Sequence, residues 1–193
     1  IRDEVADILQ ALLRVKPSSG RQVAGAGRGG GIGVVAADIC ERAGLKVPVF
    51  SQETRHKLLA VIPEAGASIR NPVETTAGLG GAALFYRRAL PIVDADTETD
   101  IILIHIAVDV YGTHNPDLAQ KVGEAAEALA EKAPSLRKPL AAALFTGGHP
   151  DTMMAVHEAR QKLIKGGVAV FSGVESATRA LNKIIGYYSI ERN

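Results

Sequence analysis

Two stretches of this sequence combine residue types and spacings that could hold an anion. The first runs from Val23 to Gly33 and contains Gly25, Gly27, Gly29, Gly30, Gly31 and Gly33. Glycine lets a ligand or another backbone come close. A glycine-rich turn opening a helix also presents unpaired N–H groups and the positive end of the helix dipole to phosphate or carboxylate. The candidate residues of this glycine loop are Arg28, Gly30, Gly31 and Gly33. Gly25-x-Gly27-x-x-Gly30 also fits the dinucleotide pattern. That use needs an acidic residue closing the second strand, to hold the ribose hydroxyls. Here Val49-Phe50-Ser51 closes it, Glu53 is already entering a helix, and Gly25 falls inside the first strand. A phosphate loop ending in Gly-Lys-Ser/Thr is absent.

The second stretch is Asn71 to Gly81. Asn71, Glu74, Thr75, Thr76 and Gly78 precede or open a helix whose start also holds Gly80 and Gly81. Small residues expose the first N–H groups, and the hydroxyls add donors for phosphate. An ordinary helix cap fits the same residues. Other chemistry is poorly served. His56, His105, His114, His149 and His157 form no metal-binding spacing, and no metal site is expected. His105 reads as a hydrogen-bonded core residue of a central strand, and His114 and His149 as solvated loop residues. The lone Cys40 reads as core. No Gly-x-Ser-x-Gly elbow occurs. Asp94, Asp96, Glu98 and Asp100 read as a solvated turn on the edge away from the other loops.

The elements that must position these residues alternate. Apolar spacing predicts a helix over 1–15, ended by Pro17-Ser18-Ser19-Gly20. Strands are expected at 21–26, 45–50, 67–69, 101–108, 139–145 and 168–171. Helices are expected at 34–43, 54–62, 79–93, 115–133, 151–165 and 172–188. The nearly all-aliphatic run Ile101 to Val108 suits a central parallel strand covered on both faces. This alternation predicts an α/β fold, a three-layer α/β/α Rossmann-like parallel sheet of about five strands. Right-handed crossovers then gather the loops after the strands on one edge, where ligands bind in such sheets.

Bulk properties narrow the field. The 193 residues suit one α/β domain, and 47% apolar content is enough for a core. A net charge of +1 and few aromatic rings argue against nucleic acid. The longest apolar run is too short to cross a bilayer, no signal-peptide pattern occurs, and a single cysteine suits the cytoplasm. The start at Ile1 suggests a piece of a longer protein, with 1–19 a helix and linker from the preceding region and 20–193 the domain.

The order of short motifs resembles the NDP-forming acyl-CoA synthetases, which include the ADP-forming acetyl-CoA synthetases and have succinyl-CoA synthetase as a relative. The residues that carry the resemblance are Val23-Ala24, then Gly30-Gly31-Ile32-Gly33-Val34-Val35-Ala36-Ala37-Asp38, then Phe50-Ser51-Gln52-Glu53-Thr54. Ile62-Pro63 through Asn71-Pro72-Val73-Glu74 follows, then the aliphatic strand at Ile101, Lys138-Pro139, Gly147-Gly148, and Gly167-Val168-Ala169-Val170-Phe171 with Glu175-Ser176-Ala177-Thr178-Arg179-Ala180-Leu181. The similarity covers about 20–188.

The resemblance implies a flavodoxin-like fold and a ligase built from a CoA-binding domain, two flavodoxin-like ligase domains and an ATP-grasp domain. Such enzymes interconvert acid, CoA and NTP with acyl-CoA, NDP and phosphate, through an acyl phosphate and a phosphohistidine. This chain resembles the second flavodoxin-like domain, without the phosphorylated histidine, and contains no Ser-His-Thr-Gly or Gly-His-Ala-Gly. The resemblance then implies that the helix after Asn71-Pro72-Val73-Glu74 points its amino end at that phosphohistidine. CoA, ATP or ADP, and Mg are implied for the full enzyme, with none held by this domain and no catalytic residue in it. The implied partners are the other domains or subunits, with an oligomer expected and the isolated chain inactive. Gly25, Gly27, Arg28, Ile32 and His149 depart from the family pattern. A non-catalytic ligand- or subunit-binding module and a dinucleotide-binding oxidoreductase domain remain the alternatives.

Overall fold

Among the described residues, five parallel strands form one sheet in the order β2-β1-β3-β4-β5. A computed structural model describes residues 2–18, 20–62, 68–74, 80–112 and 114–190. The chain runs α1 (Arg2–Arg14), β1 (Val23–Gly27), α2 (Gly30–Arg42), α3 (Gln52–Leu59), β2 (Val73–Glu74), α4 (Gly80–Asp94) and β3 (Ile101–Ala107). It continues through α5 (Leu118–Lys132), β4 (Leu140–Phe145), α6 (Pro150–Lys165), β5 (Ala169–Phe171) and α7 (Val174–Ile190). This order is that of flavodoxin-like sheets. Among the described residues, no helix is long and apolar enough to cross a membrane.

All seven residues of β3 are buried, because helices cover both faces of the sheet. Alternation sorts them. Ile101 and Leu103 pack with Val23 and Phe171 against α1, α2 and α7. Ile102, Ile104 and Ile106 pack against α4, α5 and α6. Cys40 lies buried in the first of these layers.

Three expectations from the sequence need correction. The apolar run 45–50 forms no strand. Only Lys46 pairs beside β1, in a single bridge to Gln22, and Pro48 has no N–H to extend a ladder. Val73–Glu74 takes the rest of that edge, pairing with Ala26 and Gly27. The strand expected at 67–69 is reduced to one antiparallel bridge between Ser68 and Glu74, and residue 67 lies outside the described residues. The acidic cluster is largely internal. Asp94 accepts hydrogen bonds from the N–H groups of Arg137 and Lys138 at 3.0 and 2.8 Å. Asp96 accepts from Ser51 N–H, and Asp100 from Gln22 N–H. Lys138 Nζ donates to Val93 O, Asp96 O and Thr99 Oγ1. These bonds staple loops across the amino edge of the sheet.

Side-chain amides finish both outer edges. The Asn71 side chain accepts from Gly25 N–H at 2.8 Å and donates to Val23 O and Pro48 O at 2.8 and 2.7 Å. It bridges the gap between Lys46 and β2. At the opposite edge Gln10 of α1 donates to Val170 O and accepts from Val170 N–H, at 2.8 and 3.0 Å. Each amide supplies the donor and acceptor that a neighbouring strand would have provided.

Candidate functional site at the carboxyl edge

The glycine run is built into the fold rather than looped over a ligand. Gly25 and Gly27 belong to β1 and share the sheet face that α2 covers. Their two-residue spacing is that of a strand. A Cβ on Gly25 would lie 2.9 Å from Pro72 Cβ. A Cβ on Gly27 would strike the His105 ring and lie 2.5 Å from His105 O. Helix α2 starts at Gly30, four residues earlier than its apolar pattern suggested, so Gly30, Gly31 and Gly33 are helical. Gly29, with φ of 100°, supplies the left-handed turn before it.

One row across the sheet joins Glu74, Gly27 and His105, which pair in register on β2, β1 and β3. Glu74 is 7% exposed and His105 is 1% exposed. His105 Nε2 and Glu74 Oε1 stand 3.9 Å apart. Neither atom has a hydrogen-bond partner among the described residues. Gly33, in the first turn of α2, lies directly over the carboxylate, and any side chain there would collide with Glu74 Oε1. Burial raises the Glu74 pKa, with the Gly33 N–H pulling it down less strongly. Burial pushes the His105 imidazole down to about 4, so it is neutral at physiological pH. His105 is therefore a core histidine, but its Nε2 is not hydrogen-bonded as the sequence suggested.

Beside this row, the Arg28 guanidinium stacks on Tyr111, 4.8 Å from the ring centroid. One guanidinium nitrogen of Arg28 is buried with no hydrogen-bond partner among the described residues. Burial raises the Tyr111 pKa, against a smaller opposite pull from Arg28. Asp109 ties the loop after β3 to the loop after β4. It accepts from Thr146 Oγ1 at 2.9 Å and from Gly147 N–H at 2.7 Å. Burial raises its pKa, yet those bonds outweigh burial and leave it lowered. His149 caps α6 through Nδ1 and meets His114 edge-on, with ring centroids 5.4 Å apart.

Of the anion-binding residues expected from the sequence, Asn71 spends its amide on backbone groups and Glu74 faces inward toward His105. Thr75, Thr76 and Gly78 lie outside the described residues. Gly31 is exposed at the start of α2, where a Cβ would meet nothing within 4 Å. Sequence reasoning missed the roles of Asp109, Tyr111 and the Glu74–His105 pair. The signal for the last was the Gly25-x-Gly27 spacing, read as strand alternation beside bulky partners. Among the described residues, no group of three or more His, Cys, Asp or Glu is placed to hold a metal ion.

No protein-family model matches the chain. It is 31% identical over 180 residues to acetate–CoA ligase (ADP-forming) I of Archaeoglobus fulgidus, covering 93% of this chain and 23% of that protein. It is 26% identical over 185 residues to acetate–CoA ligase (ADP-forming) II subunit alpha of Pyrococcus furiosus, covering 95% and 37%. These relatives support reading the chain as an NDP-forming acyl-CoA synthetase domain. Solved structures share the fold. A Pyrococcus horikoshii OT3 protein superposes with a TM-score of 0.74 at 22% identity, over 96% of this chain and 39% of that one. The Ca. Korarchaeum cryptofilum dinucleotide forming acetyl-coenzyme A synthetase 1, in complex with phosphate and ADP, gives 0.72 at 19% identity, over 98% and 37%. The chain thus spans roughly a quarter to two-fifths of these synthetases and related structures.

Proposed function

We propose that this chain is the flavodoxin-like synthetase domain that lacks the phosphorylated histidine, and that it acts electrostatically. The parent enzyme would convert acid, CoA and NTP into acyl-CoA, NDP and phosphate. In this reading the amino end of α4 meets phosphate, or the phosphohistidine carried by a partner domain. The observation that carries it is the place of α4, which follows the last residue of β2 at the carboxyl edge and has no acidic side chain in its first turn. Unpaired N–H groups and the positive dipole end there favour an anion. Donors held ready for charge that develops in the reaction lower its barrier. Helix α2 is the weaker choice, because the Glu74 carboxyl group faces its first turn. Thr75, Thr76 and Gly78 precede α4 and would add hydroxyl or backbone donors. CoA, nucleotide and Mg belong to the partner domains in this reading.

The test is reconstitution with the CoA-binding, histidine-bearing and ATP-grasp domains, following label from inorganic phosphate into phosphohistidine in the presence of acyl-CoA. Gly78→Glu adds a carboxylate two residues ahead of α4 in the sequence, and a rate drop of at least about tenfold, roughly 1.4 kcal/mol, is expected. An unchanged rate in the folded variant overturns the assignment of α4. The chain alone should form no acyl-CoA, and turnover by it alone refutes the electrostatic role.

A further inference from the structure

The Glu74–His105 pair is built at some cost to the fold. Both side chains are more than nine-tenths buried. Gly27 and Gly33 are the clearances that admit them. Yet Glu74 Oε1 and His105 Nε2, 3.9 Å apart, have no hydrogen-bond partner among the described residues. An unsatisfied buried polar atom costs about 1–3 kcal/mol, so two facing each other call for a shared ligand. Water fits poorly. The void beside His105 is about 10 Å³ and is walled by Val23, Ala36, Val47 and Leu103. That is at the lower limit for one water, which also needs two to four polar partners. A proton needs no volume, and an approach of about 1 Å brings the two atoms into hydrogen-bond range.

We propose that Glu74 and His105 form a buried proton-holding couple, with one proton bridging Glu74 Oε1 and His105 Nε2. With the proton bound, the carboxylic acid donates to a neutral imidazole and the couple carries no charge. When it leaves to solvent, a buried carboxylate remains against the first turn of α2. The directions imposed by burial agree, since both groups are driven toward their neutral forms. Few other titratable groups bear on the couple. Cys40 of α2 lines the same void, and burial pushes its thiol up to about 12, so it stays neutral. Asp38, Glu41 and Arg42 of α2 are exposed to solvent. From β3 and the turn after it, Asp109 is bound to Thr146 and Gly147, and Arg28 from the end of β1 lies on Tyr111. The strand neighbours of His105 are Gly27 and Ala143, which carry no charge.

The test is an NMR pH titration of the 193-residue chain carrying carbon-13 in Glu carboxyl groups and nitrogen-15 in the backbone and His rings. The Glu74 carboxyl and His105 Nε2 should shift together, with one midpoint above the ordinary glutamate value of 4.5. The Gly33 amide should follow the same curve. Glu74→Gln should abolish the transition at both His105 and Gly33. Titration of Glu74 at or below 4.5, a His105 Nε2 that does not move with it, or a transition with its midpoint above 4.5 persisting in E74Q overturns the proposal. The wild-type titration alone decides the matter if E74Q does not fold.

Discussion

Gly31 and Gly33 stand two residues apart in one helix, and their substitutions are expected to act in opposite directions. A Cβ on Gly31 meets nothing within 4 Å, whereas one on Gly33 runs into the Glu74 carboxyl group. Gly31→Ala should stabilise the protein by about 0.5–1 kcal/mol, through lower backbone entropy in the unfolded chain and better helix propensity. Gly33→Ala should destabilise it by about 1–3 kcal/mol, as overpacking does. Urea unfolding of the two variants measures both. His105 sets an acid limb of stability. Its folded pKa, pushed down to about 4 from 6.5, means that its contribution is fully present above 6.5 and is lost as pH falls from 6.5 through 4. The loss reaches about 3 kcal/mol, and His105→Asn should flatten it in unfolding curves between those pH values. Glu74 runs the other way. Its raised pKa gives a contribution that is complete below the ordinary 4.5 and fades as pH rises through the raised value. Comparing Glu74→Gln with the native chain isolates that limb.

At the scale of elements, two side-chain amides complete the edges of the sheet where strand pairing stops. Asn71→Ala leaves Gly25 N–H, Val23 O and Pro48 O without the partner each has now. A loss of about 1–3 kcal/mol is expected, read as a lowered urea midpoint with unchanged slope. Gln10→Ala should cost less, because Val170 O keeps its bond from Arg160 at 2.8 Å. These elements also show what was legible. β3, β4, β5 and their following helices were readable, because a fully covered parallel strand is a continuous apolar run and its helix a 3.6-residue stripe. The second strand was not. The apolar run 45–50 has the stronger strand pattern, but Pro48 cannot extend a ladder and Asn71 fills the gap, so the edge passes to a two-residue strand at Val73. Nothing local marks a two-residue strand. The glycine run was legible as the junction of β1 and α2, but its helix start was misplaced, because Gly30 and Gly31 have low propensity and the surrounding fold overrides it.

Across the whole molecule the two ends of the sheet divide the work. The amino edge is stapled by Asp94, Asp96, Asp100 and Lys138. The carboxyl edge gathers Arg28, Glu74, Tyr111, Asp109 and the start of α4. Asp94→Ala removes the acceptor of the Arg137 and Lys138 N–H groups. It should lower the unfolding temperature while leaving the reconstituted labelling rate unchanged at temperatures where the variant is folded. A change at the amino end of α4 should do the reverse.

The sequence by itself determined the layered α/β architecture, the covered central strand and the resemblance to acyl-CoA synthetases. Periodicity and motif order are properties of the chain read along its length, so they survive without coordinates. Only the tertiary structure decided which polar groups face each other. Glu74 and His105 are 31 positions apart, yet strand register sets them on either side of Gly27. That register arises from how whole strands pair and how α2 packs over them, which no local spacing records.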